Sequence, residues 1–352
     1  MQDDVFRIGV TRDVVRPDGS LVFAPVGFDA LDTPRIEWGF LDEDRRELTS
    51  DQLRGLDGLF HFSPIVSAAS LEGVERLALI ARHGVGLDFV DLDACTERGI
   101  AVTITPAGVT RAIASAAVAL VLALSHRLVE RDRLLRAGRW SEARFDLLGL
   151  GLTGRTLGVV GYGRIGREVV RLLRPWEMRV LVSQRSDPAD ANVEHVPLDA
   201  LLEEADVVVL ACPLTPETHH LLDAARLERM KTGALLVNVA RGPVVDQAAL
   251  AAALAAGRLG GAGLDVFEQE PVDAADPILA APHVVASPHA LGYWDQLFRD
   301  CVGAACAALL TVAAGRVPPD VANPAVLDSP LFHAKLDRAA ARVVRDGGGE
   351  RR

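Results

Sequence analysis

The sequence predicts an α/β protein that contains two doubly wound parallel sheets. Two observations predict this fold class. Short apolar segments alternate with helix-like segments along most of the 352 residues, which is the pattern of successive βα units. A glycine-rich turn also lies near the middle of the chain, between an apolar run and a helical pattern. A chain of this length has room for two domains with separate cores.

Composition argues against several classes of protein. The net charge of −11 at pH 7 argues against non-specific binding to nucleic acid. No uninterrupted apolar run reaches the roughly 18 residues of a membrane span. The acidic start, residues 1–4, differs from a signal peptide. The four cysteines have no metal-ligand spacing, so no metal is expected. We therefore predict a cytoplasmic protein without nucleic-acid or membrane partners.

The first hundred residues alternate between strands and helices. The strand candidates are residues 6–10, 58–60, 77–80 and 99–103, with a helix-like segment at 48–53. The corner Gly84-Val85-Gly86 follows the third strand, where loops of parallel sheets usually bind ligands. Residues 110–135 then predict one long buried helix, which ends near Trp140.

The glycine-rich turn follows an apolar, strand-like run and opens a helical pattern. In this G-x-G-x-x-G sequence, Gly161 permits the tight turn and Gly163 lets a pyrophosphate approach the backbone. Gly166 allows the helix to pack closely on the strand. The phosphates would lie at the start of the helix, around Arg164 and Ile165. The order of strand, turn and helix predicts a dinucleotide site, whereas the glycines alone would be weak evidence.

Further strand candidates complete a dinucleotide-binding domain, at residues 179–182, 207–212, 235–239, 263–266 and 284–287. We predict two Rossmann-like domains, with the dinucleotide-binding domain (106–295) inserted into a flavodoxin-like substrate domain (1–105 and 296–330). The substrate would lie in a cleft between the domains. Residues 331–352 are predicted as a partly disordered C-terminal tail.

Six motifs occur in order along the chain: the corner at 84–91, the turn at 161–166, Pro-Leu-Thr-Pro-Glu-Thr at 213–218, Asn-Val-Ala-Arg-Gly at 238–242, Asp-Val-Phe-Glu-Gln-Glu-Pro at 265–271, and Ser-Pro-His at 287–289. In order and spacing they resemble the D-isomer-specific 2-hydroxyacid dehydrogenases, which include phosphoglycerate dehydrogenase and the glyoxylate/hydroxypyruvate reductases. The resemblance covers about residues 77–322. It implies reduction of a small 2-oxo acid to the D-2-hydroxy acid by hydride from a nicotinamide dinucleotide.

Three residues would carry this chemistry. Arg241 and His289 each follow a strand candidate and so reach the same edge of the sheet. A guanidinium can bind a carboxylate through two hydrogen bonds, and an imidazole can give a proton near neutral pH. The resemblance implies that Arg241 binds the carboxylate and keto oxygen and that His289 protonates the keto oxygen. It implies that Glu270 hydrogen-bonds His289, with Glu268 as the alternative carboxylate.

The resemblance also implies that the amides of Val85 and Gly86 bind the substrate carboxylate. Ser63 and His83 are further candidates for the substrate pocket. Candidate cofactor contacts outside the turn are Gln184, Arg185, Ser186, Pro213, Thr218, Val239, Ala240, Asp265, His289 and Gly292. Asp265 matches the residue that contacts the nicotinamide carboxamide, and a strand-end cap is its alternative interpretation. The sequence leaves open the roles of His61, His83, Tyr293, Trp294 and Trp140.

The segment after the second strand of the dinucleotide domain bears on the choice of cofactor. NAD-preferring proteins place an acidic residue about 20 residues beyond the glycines, where it binds the ribose 2′-hydroxyl. Here residues 183–186 read Ser-Gln-Arg-Ser, without an acid, and Arg185 can pair with a 2′-phosphate. We predict a preference for NADP(H) over NAD(H), with a neutral site that accepts both as the alternative.

Other functions stay open at this point. Some relatives of this fold are dinucleotide-sensing corepressors that bind without turnover and keep the arginine, glutamate and histidine. Phosphoglycerate dehydrogenase is a second alternative, whereas formate dehydrogenase is disfavoured because that branch has glutamine where Glu270 stands. The resemblance further implies a homodimer, with a dimerisation arm at about residues 110–150. In glyoxylate/hydroxypyruvate reductases, a tryptophan near the position of Trp140 reaches the neighbouring active site.

Overall fold

The computed structural model describes residues 5–23 and 27–343, and the chain divides into two compact units. One unit consists of Met1–Val109 and Trp294–Arg352, and the other of Thr110–Tyr293. Each unit contains a parallel sheet with helices, which confirms the predicted fold class. The proposed disorder of the tail from residue 346 onward concerns residues outside the described ranges.

The first unit is built on a five-stranded sheet. Its strands are β1 (Phe6–Val10), β2 (Ile36–Phe40), β3 (Gly58–His61), β4 (Leu79–Arg82) and β5 (Ala101–Thr103), paired in parallel in the order β2-β1-β3-β4-β5. Its first two helices are α1 (Ser50–Leu53) and α2 (Leu92–Glu97). Four of the strands were predicted, and β2 was missed.

The single long helix predicted over residues 110–135 is wrong. The chain forms α3 (Pro106–Ser125) and α4 (Leu128–Arg136), and it breaks between them because Arg127 is left-handed, with φ 54°. The Arg127 guanidinium turns toward Glu130, with Nη1 3.1 Å from Oε2. The helix α3 buries much of its apolar surface, whereas α4 has no buried residue. Trp140 does not end the long helix but opens α5 (Trp140–Phe145).

The second unit is built on a seven-stranded sheet. Its strands are β6 (Thr156–Val160), β7 (Arg179–Ser183), β8 (Glu194–His195), β9 (Val207–Leu210), β10 (Leu235–Asn238), β11 (Gly261–Leu264) and β12 (Val284–Ala286), in the parallel order β12-β11-β10-β9-β6-β7-β8. Its further helices are α6 (Arg164–Leu173), α7 (Leu198–Glu204), α8 (Ala224–Arg229), α9 (Gln247–Ala255) and α10 (Pro277–Ala280). The strand order reverses between β6 and β9, and such switch points are where ligands bind in open α/β sheets.

Apolar side chains bury both faces of this second sheet. On one face Leu210, Leu236 and Leu264 pack with residues of the helices α7 to α9. On the other face Val159 and Val237 pack with residues of α3 and α6. Because both faces are covered, the carboxyl ends of the strands and their loops are the part of the sheet that is available to ligands.

Two helices complete the first unit: α11 (Asp295–Ala313) and α12 (Pro330–Val343). The helix α11 packs on β3 and β4. Nearly all of α12 lies within residues 331–352, which the sequence predicts as a partly disordered tail. Instead, its buried Lys335 donates hydrogen bonds of 2.7 Å to the carbonyl oxygens of Leu77 and Arg98. By length and composition α3 and α11 are apolar enough to cross a membrane, but about half of each is buried in the structure, as in core helices.

Candidate active site

The glycine-rich turn joins β6 to α6, and its three glycines have different reasons to lack a side chain. Gly161 has φ 92°, and a Cβ there would lie 2.6 Å from the amide nitrogen of Cys212. A Cβ at Gly166 would overlap the carbonyl oxygen of Gly161. At Gly163, no described atom lies within 4 Å of such a Cβ. Protein packing therefore explains Gly161 and Gly166, while the open space at Gly163 fits the approach of a dinucleotide phosphate to the start of α6.

The end of β7 lies beside this turn, since the amide of Gly161 donates to the carbonyl oxygen of Ser183 at 2.9 Å. Arg185 and Ser186 are exposed there, and Gln184 is half-buried. The Gln184 side-chain amide donates to the Ser186 carbonyl oxygen at 2.7 Å. The segment after β7 thus exposes the guanidinium of Arg185, and residues 183–186 contain no carboxylate.

The loop after β9 is closed by a threonine. The Thr218 hydroxyl lies 2.7 Å from the carbonyl oxygen of Pro213, to which it donates. It also accepts a hydrogen bond of 2.7 Å from the amide of Thr215. These bonds bring together Pro213 and Thr218, the two residues predicted from this motif. They lie after the carboxyl end of β9, the strand that pairs with β6.

Arg241 leaves the end of β10 on a short turn that the buried Asn238 holds. The Asn238 side chain donates to the carbonyl oxygen of Arg241 at 2.9 Å and accepts from the amide of Ala240 at 3.0 Å. Val239 and Ala240 are buried, whereas Arg241 is partly exposed. The Arg241 guanidinium also donates to the Ala240 carbonyl oxygen at 2.7 Å. The turn therefore places a partly exposed cation just beyond the end of β10.

The next residue, Gly242, brings this turn against the loop that follows β11. A Cβ at Gly242 would overlap the carbonyl group of Phe267 and the amide of Glu268. Any side chain at this position would therefore push apart the loop of Arg241 and the loop of Glu270. Gly242 belongs to the motif at 238–242, but the sequence alone does not reveal this contact.

The loops after β11 and β12 present a histidine–carboxylate pair. His289 Nδ1 lies 2.9 Å from Glu270 Oε2, and both side chains are partly exposed. The other oxygen, Glu270 Oε1, accepts from the amide of Phe267 at 3.0 Å. Burial raises the pKa of Glu270, but the hydrogen bond and charge of His289, the Phe267 amide and the charge of Arg241 together hold it below its ordinary value.

The alternative carboxylate, Glu268, does not contact His289. Its Oε1 pairs with His220 Nε2, and its amide donates to the Gln247 side chain at 3.1 Å. Glu268 thus ties together two surface loops. Of the two carboxylates considered from the sequence, the structure brings Glu270 to the histidine.

Asp265, buried at the end of β11, holds the segment that follows His289. Its Oδ1 accepts from the amides of Ala290 and Leu291, at 3.0 and 3.2 Å. Burial raises the pKa of Asp265 above its ordinary value, although these amides and the Ser287 hydroxyl act in the opposite direction. His289 itself has φ 56°, a left-handed conformation that costs energy in a non-glycine residue. Asp265 therefore helps to keep His289 in an unfavourable backbone conformation; the predicted Gly292 is buried just beyond it.

The other predicted substrate residues, Ser63, His83, Val85 and Gly86, lie in the first unit after β3 and β4, together with His61, whose role was left open. His61 is fully buried, with Nε2 2.6 Å from the Pro64 carbonyl oxygen and Nδ1 3.1 Å from Arg82 Nη1. Burial, and secondly the charge of Arg82, lower its pKa to about 3, so it stays neutral. Ser63 is exposed and its hydroxyl hydrogen-bonds Asp13. Neither side chain is free of other contacts.

The corner with Val85 and Gly86 is held by a residue that the sequence analysis did not single out. Buried Arg82 donates to the carbonyl oxygens of Phe62 and Gly86, and so connects the end of β3 to the corner. The neighbouring His83 is buried among Phe23, Phe62 and Phe298. Burial lowers its pKa to about 4, and among the described residues its Nε2 has no hydrogen-bond partner.

Known proteins are similar to this chain in sequence and in fold. The family model described as "D-isomer specific 2-hydroxyacid dehydrogenase, NAD binding domain" matches residues 118–290. The chain is 41% identical over 268 residues to the glyoxylate reductase of Korarchaeum cryptofilum, covering 74% of this chain and 81% of that protein. The crystal structure of TT0316 protein from Thermus thermophilus aligns with a TM-score of 0.79 at 38% identity, covering 90% of this chain and all of that one.

A second solved structure is the NADPH-dependent glyoxylate/hydroxypyruvate reductase of Sinorhizobium meliloti in complex with NADP and malonate. It aligns with a TM-score of 0.75 at 29% identity, covering 87% of this chain and 93% of that one. The fold, the glycine-rich turn and these similarities define an NAD(P)-dependent oxidoreductase. More particularly, the chain belongs to the D-isomer specific 2-hydroxyacid dehydrogenase family.

The contact at Gly242 leads to a testable prediction. Gly242→Ala should lower kcat/KM by about 100-fold or more, because a displacement of about 1 Å between reacting groups is enough for such a loss. Dinucleotide affinity, measured by fluorescence titration, should change much less, since the glycine-rich turn is untouched. Gly303→Ala in α11, where a Cβ meets no described atom within 4 Å, is the matched control. Undiminished turnover by Gly242→Ala would contradict the importance of the contact.

Proposed function

We propose that this protein reduces a small 2-oxo acid to the D-2-hydroxy acid, with hydride from NADPH. The observation that carries the proposal is the pair of His289 and Glu270, 2.9 Å apart, in which the loop of Glu270 packs against the turn of Arg241. A proton donor after β12 and a cation after β10, at the same edge of the sheet, suit the reduction of a carbonyl beside a carboxylate. The glyoxylate reductase among the relatives supports glyoxylate or hydroxypyruvate as the kind of substrate.

His289 would supply the proton. Glu270 accepts from Nδ1, which orients the ring and leaves Nε2–H as the donor to the keto oxygen. Since the pKa of Glu270 is held low, its carboxylate stays ionised at neutral pH and remains an acceptor for the Nδ1–H of His289. The bound dinucleotide supplies the hydride that arrives at the carbonyl carbon.

Arg241 would bind the substrate and stabilise the transition state. Its guanidinium can form two hydrogen bonds, which matches the carboxylate and keto oxygens of a 2-oxo acid. Negative charge develops on the keto oxygen as hydride arrives, and a fixed cation beside it lowers the barrier. Contact between the substrate carboxylate and the amides of Val85 and Gly86, on the corner held by Arg82, stays a prediction from the sequence.

The first test is turnover with a panel of 2-oxo acids. NADPH oxidation, followed at 340 nm, should be seen with glyoxylate or hydroxypyruvate. His289→Ala should lower kcat by roughly 10²- to 10⁴-fold, the usual contribution of a general acid. The control His126→Ala removes an exposed histidine at the end of α3 and should leave kcat within about twofold.

The results of this turnover test distinguish an enzyme from a protein that only senses the dinucleotide. A wild-type protein that binds NADPH tightly but oxidises it with no 2-oxo acid would contradict the enzyme and favour the sensor. Turnover that is equal in wild type and His289→Ala would contradict the role of His289 alone.

A preference for NADPH is supported by the exposed guanidinium of Arg185 at the end of β7 and by the NADP complex of the Sinorhizobium relative. A hydrogen-bonded charge pair with the 2′-phosphate is worth about tenfold in affinity. Arg185→Ala should therefore lower kcat/KM for NADPH about tenfold and leave kcat/KM for NADH nearly unchanged. Arg174→Ala is the control at another exposed arginine. A wild-type enzyme that favours NADH would contradict this choice of cofactor.

We also propose a homodimer in which the second copy covers residues 128–148. Large apolar side chains are exposed there: Leu128 (59%), Leu135 (50%), Trp140 (60%), Phe145 (72%) and Leu148 (89%). Patches of this kind mark interaction surfaces more often than they face water. A cytoplasmic location, and the absence of nucleic-acid or membrane partners, stay predictions from composition.

Light scattering should therefore give the mass of a dimer for the wild type. Phe145→Asp combined with Leu148→Asp should give a monomer with unchanged circular dichroism, because the buried charges would oppose association. Val317→Asp, at an exposed apolar residue of the first unit, should stay dimeric. A monomeric wild type would contradict the proposal.

A further inference from the structure

The glycine-rich turn contains a tyrosine that the proposed chemistry does not use. Tyr162 lies between Gly161 and Gly163, and only 4% of it is exposed. Its hydroxyl donates a hydrogen bond of 2.9 Å to Asp190 Oδ2. Asp190 belongs to the segment after β7, five residues beyond Arg185. A side chain of the phosphate-binding turn is therefore joined to the segment that carries the proposed 2′-phosphate site.

An arginine from α6 reinforces this connection. The Arg167 guanidinium carbon lies 4.6 Å from the centre of the Tyr162 ring, and its Nη1 lies 3.7 Å from Asp190 Oδ2. Burial, and secondly the bond to Asp190, raise the pKa of Tyr162 to about 12, so its hydroxyl remains a donor at physiological pH. Bonds from the backbone and side chain of Asn192 and from Tyr162 lower the pKa of Asp190, which therefore remains an anion.

The segment from Gln184 to Asp190 is held at both of its ends. At the start, the His195 ring lies 3.0 Å from the Gln184 carbonyl oxygen. At the far end, Asp190 Oδ1 accepts from the Asn192 amide at 3.0 Å, while Oδ2 takes the Tyr162 hydroxyl. Arg185 lies between these two anchors. Of these anchors, the Tyr162–Asp190 bond ties the segment to the glycine-rich turn.

We propose that Tyr162 is a positioning residue for cofactor selection, which holds the Arg185 segment at the distance from the glycine-rich turn that a 2′-phosphate requires. The inference rests on the proposed preference for NADPH. The turn binds the pyrophosphate of either cofactor, whereas the segment after β7 meets the group that differs between them. Loss of the Tyr162 hydroxyl removes the hydrogen bond that ties this segment to the glycine-rich turn. A less firmly placed Arg185 weakens binding of a phosphate dianion and has little effect on a ribose hydroxyl.

The test is the ratio of kcat/KM for NADPH to kcat/KM for NADH. Tyr162→Phe keeps the buried ring and should lower this ratio about five- to tenfold, as expected for one lost hydrogen bond to a charged group. The loss should fall on NADPH, while kcat/KM for NADH stays within about twofold. A purely structural role would lower both values equally.

Asp190→Ala removes the other partner and should lower the ratio by a similar factor. The double variant should lower it no further, because both substitutions break the same bond. Asp199→Ala, which breaks exposed ion pairs with Arg226 and Arg229 elsewhere in the unit, is the control and should leave the ratio unchanged.

The results separate this inference from the proposed function. If the wild type prefers NADPH and Tyr162→Phe affects both cofactors equally, the positioning role is overturned and the preference stands. Independent effects of Tyr162→Phe and Asp190→Ala, which multiply in the double variant, also overturn it. If the wild type has no preference for NADPH, the proposed cofactor choice is overturned and the inference with it.

Discussion

The backbone of Gly242 rests directly on the backbone of Phe267 and Glu268, and the candidate site depends on this contact. It joins the turn after β10 to the loop after β11 with no side chain between them. Glu270, whose Oε1 accepts from the Phe267 amide, is thereby brought to the same side as Arg241. His289 then reaches Glu270 from the end of β12. Three consecutive strands of the sheet thus contribute one group each to a single site.

Buried polar side chains hold these groups in place. Asn238 holds the turn of Arg241, and Asp265 holds the segment after His289 through two backbone amides. Such supports are required because His289 has a left-handed backbone, which would relax if its surroundings were loose. In the first unit, Arg82 holds the Val85–Gly86 corner in the same manner. Arg241, Glu270 and His289 are partly exposed, whereas Asn238, Asp265 and Arg82 are buried.

Much of the fold was predictable from the sequence because buried parallel strands are short apolar runs next to glycine-rich or polar loops. Every long strand of the second unit was identified in this way. The strand β2 was missed because it is a partly exposed edge strand that contains a glycine. The break at Arg127 was missed because it depends on a left-handed residue and not on composition. The sequence could not show that Arg82 and Gly242 hold the site together. Arg82 contacts a backbone oxygen on a different loop, and Gly242 packs against backbone atoms that are distant in sequence.

A site that works as proposed transfers hydride from the cofactor to the carbonyl carbon of a 2-oxo acid, with one stereochemical outcome. The direct measurement uses NADPH with deuterium at both C4 positions of the nicotinamide, with pyruvate or hydroxypyruvate as acceptor. Mass spectrometry and chiral chromatography of the product should find deuterium at C2 and the D configuration alone. A product of L or mixed configuration, or deuterium that does not reach C2, would contradict the account.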